Sequence, residues 1–157
     1  MIELSILRTC LDAPRATVWA SVASAEGINH ELGPWLRMTV PAGVDSLDLD
    51  HLPTGQRLGR SWLLLGGVLP VDYDDLRLER LVPGEGFDER STMLSARVWE
   101  HRRWLRDDGP GRCIVEDRVS FEPRVPGTSM LLRAIAGRVF AHRHDRLLAR
   151  FGGQRLA

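Results

Sequence analysis

The stretch Thr128-Ser129-Met130-Leu131-Leu132-Arg133-Ala134-Ile135-Ala136-Gly137-Arg138-Val139-Phe140-Ala141-His142-Arg143-His144-Asp145-Arg146-Leu147-Leu148-Ala149-Arg150-Phe151 decides the fold. Leu132, Ile135, Ala136, Val139, Leu147 and Phe151 fall on one helical stripe, and Arg133, Arg138, His144 and Arg150 on the opposite side. Thr128 or Ser129 can cap the start, and Gly152-Gly153 stops the run. The spacing predicts a helix over 129–151, about six turns long.

Upstream of Pro126-Gly127 the apolar period is two rather than 3.6. Ile2, Leu4 and Ile6 alternate with Glu3 and Ser5, which predicts a strand over 2–10. Pro14 opens a short helix over 14–23, whose apolar stripe is Val18, Trp19, Val22 and Ala23. Ser24 can cap a second short helix to about Glu31, ending near Gly33-Pro34. A strand over 35–40 follows, and residues 42–57 read as a loop with room for one short strand. Strands are then predicted over 58–69, 75–82, 87–94, 97–106 and 112–122. Pro70, Pro83-Gly84-Glu85-Gly86 and Asp107-Asp108-Gly109-Pro110-Gly111 separate them. Such short connections join only antiparallel neighbours, because a parallel crossover needs about a dozen residues.

The pattern predicts a single α+β domain over 1–157: a curved antiparallel sheet of six or seven strands wrapped around one long C-terminal helix, with two short helices after the first strand. One helix cannot fill the hollow of a strongly bent sheet, and the leftover space is where an apolar ligand would sit.

Composition narrows the function classes. The 157 residues balance 21 basic side chains, every one Arg, against 21 acidic ones, and 27% of the chain is charged. No basic stripe is present, which argues against nucleic-acid binding. The apolar run Ser61–Val71 is far short of the ~20 residues that span a bilayer. The start of the chain lacks the pattern of a secretory signal, so the expectation is a cytoplasmic protein with Cys10 and Cys113 as free thiols. GxSxG, HExxH, phosphate-loop and dinucleotide motifs are missing, and neither a cofactor nor a metal is expected.

Four stretches carry a resemblance across nearly the whole chain. They are Ala25–Leu32 with Pro34–Met38, Ser61–Leu65 with Leu69-Pro70, Trp99-Glu100-His101, and Asp117–Pro123, continuing into Phe140–His144. Together with the order of elements they resemble the START-related helix-grip superfamily, which includes polyketide cyclases, plant pathogenesis-related allergens and lipid-transfer domains, and within it an uncharacterised bacterial branch. The resemblance implies the helix-grip fold. Of function it implies a class that ranges over carriers, sensors and enzymes. Related branches place a second His two residues after the position of His101, where this chain has Arg103.

The hairpin 97–106/112–122 supplies the candidate site. Placing Leu105 opposite Cys113 sets Trp99 against Val119 and His101 against Asp117. The same register pairs Glu100 with Arg118 and Arg102 with Glu116 on the other face. The concave face then carries Trp99, His101, Arg103, Asp117, Val119 and Phe121 as candidate ligand-binding residues. His101 with Asp117 is a candidate acid–base pair, against the alternative of a satisfied structural pair. Gly137 either leaves room for a ligand or allows close packing on the sheet. Asp72, Asp74 and Asp75 read as a solvated turn, and His142 and His144 as the helix surface near its end. Trp62-Leu63-Leu64-Leu65 is apolar on both strand faces and marks either a homodimer contact or packing under the 42–57 loop.

Three functions follow: binding or carrying a small hydrophobic ligand such as a lipid or polyketide-like molecule, a cyclase or dehydratase using the same cavity, or an interaction module with a filled cavity.

Overall fold

A computed structural model describes residues 1–4 and 6–157; Ser5, within the predicted strand 2–10, lies outside the described residues. The chain opens with β1 (Ile2–Glu3), β2 (Leu7–Leu11), α1 (Arg15–Val22), α2 (Ala25–Leu32) and β3 (Leu36–Met38). A meander of β4 (Arg57–Leu65), β5 (Leu69–Val82), β6 (Gly86–Met93), β7 (Ala96–Asp107) and β8 (Cys113–Pro123) follows. It ends with α3 (Ser129–Phe151) and β9 (Gly153–Leu156).

The strands form one antiparallel sheet in the order β3-β4-β5-β6-β7-β8-β2-β9, with β1 also paired to β8. Nine strands stand where six or seven were expected. The first predicted strand is described as two pieces, and the chain beyond the Gly152-Gly153 helix stop returns to the sheet beside β2. Pro70 does not break the meander: it lies within β5 opposite Leu64, where the register shifts, so the turn falls earlier, at Gly66-Gly67. Of the predicted loop 42–57, Arg57 already belongs to β4, and residues 42–56 hold no strand but one short 3-10 turn, Leu49–His51, around which buried Leu47, Leu49 and Leu52 pack into the core.

Curvature has local causes. Register shifts interrupt the β4–β5, β5–β6 and β7–β8 ladders, and each extra residue bends its strand. α3 crosses the inner face, packed on α2, β2 and β8. Its span matches the helix predicted over 129–151. Ser24 caps α2 through its side chain, accepting from the Gly27 amide, as expected.

Two core clusters result. The larger joins α1, α2, the 47–52 segment and the ends of β5–β8 to Leu147, and the smaller gathers Val119, Phe121, Ala136 and Phe140 around Leu4. Among the described residues no helix is long and apolar enough to cross a membrane.

Two glycines singled out in the sequence, Gly137 within α3 and Gly153 just beyond it, play different parts. Gly137 faces neither ligand nor sheet: it is exposed, and a Cβ there would meet no atom within 4 Å. Gly153 has φ 131°, and a Cβ would fall 1.9 Å from the Cys10 carbonyl oxygen across the β2–β9 pair. Gly137→Ala is therefore expected to stabilise the fold by up to about 1 kcal/mol, the helix-propensity difference. Gly153→Ala is expected to cost about 1–3 kcal/mol and unpin β9. Urea unfolding of both variants checks the opposite signs.

Candidate functional site

Period-two alternation aims one set of side chains from each central strand into the concavity. β5 contributes Asp72, Asp74, Leu76 and Leu78; β6 contributes Phe87, Glu89, Ser91 and Met93; β7 contributes Trp99, His101, Arg103 and Leu105. From α3, Ala136, Phe140, Arg143, His144 and Leu147 face them. A cavity of about 340 Å³ remains between the sheet, α2, the 47–52 segment and the first half of α3. Its wall is mainly apolar, with Leu36, Met38, Leu63, Leu76, Met93, Trp99, Phe121, Leu132 and Val139. Its polar groups are Asp72, Asp74, Glu89, Ser95, His101 and Arg143.

The hairpin register differs from the predicted one by two residues. His101 stands opposite Val119, Arg103 opposite Asp117, Trp99 opposite Phe121 and Leu105 opposite Val115. The register sets Glu100 opposite Ser120 and Arg102 opposite Arg118, rather than Glu100 opposite Arg118 and Arg102 opposite Glu116. Glu100 instead pairs with Arg90 of β6, and Glu116 with Arg8 and Arg118. A shift of two preserves which residues face inward, so His101 and Asp117 still meet, diagonally rather than directly: His101 Nε2 donates to Asp117 Oδ1 at 2.9 Å.

Asp117 is the centre of a buried network. Arg103, with no exposed surface, donates Nε to Oδ1 at 2.8 Å and Nη2 to Oδ2 at 2.6 Å. His144 Nε2 donates to Oδ2 at 2.8 Å, while its Nδ1 meets the Thr9 hydroxyl at 2.6 Å. Asp117 thus accepts four hydrogen bonds, about the full capacity of a carboxylate. Burial alone would raise its pKa, but the Arg103 guanidinium and His101 hold it well below the usual carboxylate range. Arg103 also donates Nη1 to Glu31 Oε1 at 2.7 Å, where Arg143 Nε joins at 3.2 Å.

Of the candidates read from sequence, Trp99, His101 and Phe121 line the cavity. Arg103, Asp117 and Val119 do not: the first two are spent on each other behind the wall, and Val119 packs in the core against Phe121 and Phe140. Gly137 is on the outer face. His144, predicted on the helix surface, is fully buried, because it lies one turn from Phe140 and Leu147 on the inner face. Asp72 and Asp74 are no solvated turn. They belong to β5 with the inward parity of Leu76 and Leu78, while Asp75 points out to Arg57 at 2.6 Å.

That parity was a usable signal for Asp74, as was the alternation Phe87, Glu89, Ser91, Met93 for Glu89. The two acids are coupled across the wall. Burial first, then the charge of Glu89 and a hydrogen bond with it, push Asp74 well above the usual carboxylate range. Burial also acts upward on Glu89, but hydrogen bonds with His101, Asp74 and Ser91 bring it below its ordinary value. Two close carboxyls cannot both ionise cheaply, and of the two it is Asp74 whose ionised form is disfavoured.

Residues 9–151 match the model of a domain of unknown function, DUF8410. The chain belongs to this family. No curated protein matches it in sequence. Solved structures match in fold: a START superfamily protein from Mycobacterium smegmatis is 14% identical with TM-score 0.69, over 95% of this chain and 97% of that one. The Zhui aromatase/cyclase from Streptomyces sp. R1128 is 15% identical with TM-score 0.67, over 93% and 91%. Protein XoxI from Bacillus cereus is 13% identical with TM-score 0.69, over 96% of each chain. At these identities the likeness is one of fold, the START-like helix grip.

Two substitutions test the electrostatics. Asp117→Asn strands buried Arg103 and is expected to cost about 3–5 kcal/mol. Because the native pKa of Asp117 is depressed, its contribution is present above the unfolded value near 4 and lost as pH falls through the native one. Asp74 has the opposite sign: its pKa is raised, so wild-type stability declines as pH rises from about 4 through the native value. Asp74→Asn is expected to be near neutral at pH 4 and stabilising by more than about 1 kcal/mol at pH 8. Urea unfolding from pH 4 to 8 reads the Asp74 trend, and its extension below pH 4 reads the Asp117 one.

Proposed function

We propose that the chain is a single ligand-binding domain over residues 1–157 that holds a small hydrophobic molecule, lipid or polyketide-like, between the sheet and the first half of α3. The observation that carries this reading is the cavity itself. Its volume of about 340 Å³ falls in the range of small-molecule sites, and the wall is apolar with a few convergent polar groups. An interaction module with a filled core fits less well, since the Trp and Phe side chains border the space rather than occupy it. The fold neighbour named as an aromatase/cyclase supports a polyketide-like ligand by analogy. Free Cys10 and Cys113 agree with a cytoplasmic setting, and burial pushes the Cys113 thiol up to about 11, which keeps it unreactive. The exposed Trp62, 38% accessible beside Tyr73, keeps a homodimer contact on β4 within the proposal.

A second reading, a cyclase- or dehydratase-type enzyme, rests on one observation: a proton-holding acid, Asp74, stands with Glu89 and His101 on the cavity wall. A proton donor and acceptor side by side are what acid–base chemistry on a bound ligand requires. In that reading His101 and Glu89 replace the His101–Asp117 pair, because Asp117 has no free acceptor capacity.

The test is to fill the cavity. Ala136 lines it from α3, and Ala136→Trp is expected to weaken binding of the neutral fluorophore N-phenyl-1-naphthylamine at least tenfold, with Tm close to wild type. Unchanged binding in the folded variant would reject this cavity as the binding site.

A further inference from the structure

Asp74 is the one wall carboxyl whose hydrogen bonding the protein leaves incomplete. It is 6% exposed, and its Oδ1 finds no donor among the described residues. The Ser91 hydroxyl, which also acts on Asp74, donates to Glu89 Oε1 at 2.8 Å. The neighbouring Asp72 is served by the Tyr73 amide and by the amide and hydroxyl of Ser95. Of the cationic groups on the wall, Arg143 gives Nε to Glu31 and His101 gives Nε2 to Asp117. Asp72, Asp74 and Glu89 therefore make one end of an apolar cavity acidic, and on Asp74 one buried acceptor is left without a donor from the described residues. Native proteins leave few buried polar atoms in that condition, and such an atom on a cavity wall is met by whatever enters.

We infer that the cavity selects amphiphiles whose polar end is a hydrogen-bond donor, a hydroxyl or an ammonium, seated on the Asp74–Glu89 edge, and that it discriminates against carboxylate-headed molecules such as fatty acids. The inference rests on the ligand-binding reading above and narrows it to a head-group chemistry. A hydroxyl can donate to Asp74 and accept its shared proton in return. An ammonium does more: it compensates the charge of both acids and draws the proton off Asp74. A carboxylate does neither, and adds a third negative charge to a dry, acidic end.

The experiment is displacement of N-phenyl-1-naphthylamine at pH 7 by three ten-carbon probes: decylamine, 1-decanol and decanoate. Decylamine and decanol are expected to displace it at concentrations at least tenfold below decanoate. A further tenfold preference for decylamine would identify the ammonium as the donor, and equal binding of the two would identify the hydroxyl. Asp74→Asn keeps an acceptor but has no proton to give up in favour of an ammonium, so it should lower any advantage of decylamine over decanol while decanol still binds. Asp74→Leu removes the acceptor and should bring all three probes within threefold of one another. Decanoate binding as tightly as the donors in wild type, or an unchanged ranking in Asp74→Leu, overturns the inference. If the fluorophore does not enter wild-type protein at all, the ligand-binding reading itself falls; if it enters and the ranking is flat, only the head-group assignment does.

Discussion

The bidentate pairing of Arg103 with Asp117 governs how this sheet and helix meet. Both side chains are almost completely buried, and a charge removed from water must find its partners inside the protein. Asp117 on β8 accepts from Arg103 and His101 on β7 and from His144 on α3. Arg103 carries the network on to Glu31 of α2, which also holds Arg143 of α3. One carboxylate and one guanidinium thus connect two strands and two helices. Arg103 remains cationic throughout, since the two acids outweigh the cost of burial. A cluster of this kind spends much of its Coulombic gain on desolvation. Its effect is positional: it fixes which face of α3 meets the sheet and how far along the hairpin.

The site follows from where that network ends. Around Asp117 both carboxylate oxygens are fully used and the surroundings are solid core, while Glu31 Oε2 at the far side of Arg103 has no donor among the described residues. Phe140 stands against the ring of His101 at 4.8 Å between centroids, and beyond it the sheet and helix diverge around the cavity. His101 links the two regions, with Nε2 on Asp117 and Nδ1 3.7 Å from Glu89 on the wall. Glu89 in turn meets Asp74, where the hydrogen bonding stops short of completion. The same chain of polar groups is therefore complete around Asp117 and incomplete at Asp74, the end that borders the cavity, as it is at buried Glu31 away from it. The closed end suits structure, and the open end suits recognition or proton transfer.

Much of the architecture was legible because it rests on periodicity. The helix over 129–151, the antiparallel meander and the Ser24 cap all follow from spacing and local chemistry. β9 was not legible: glycines that end a helix say nothing about what the chain pairs with next. The hairpin register failed for a related reason. The charge pairs used to set it sit on the outer face, where Arg90 and Arg8, on the flanking strands β6 and β2, supply the partners instead. Parity survived the two-residue error, so His101 met Asp117 although their relative position was wrong. Asp74 and Glu89 were missed because acidic residues near a turn read as solvated. Only the inward parity they share with Leu76, Leu78, Phe87 and Met93 speaks against that, and the depth of burial is a property of the assembled sheet.

The most direct measurement is a crystal structure of the protein soaked with decylamine or 1-decanol. The alkyl chain should lie between Met93, Trp99 and the first half of α3, with its head group within hydrogen-bond distance of Asp74 or Glu89 and all four hydrogen bonds to Asp117 intact. A ligand that binds outside the cavity, or that enters by displacing Arg103 or His144 from Asp117, would contradict the division between a closed structural cluster and an open binding edge.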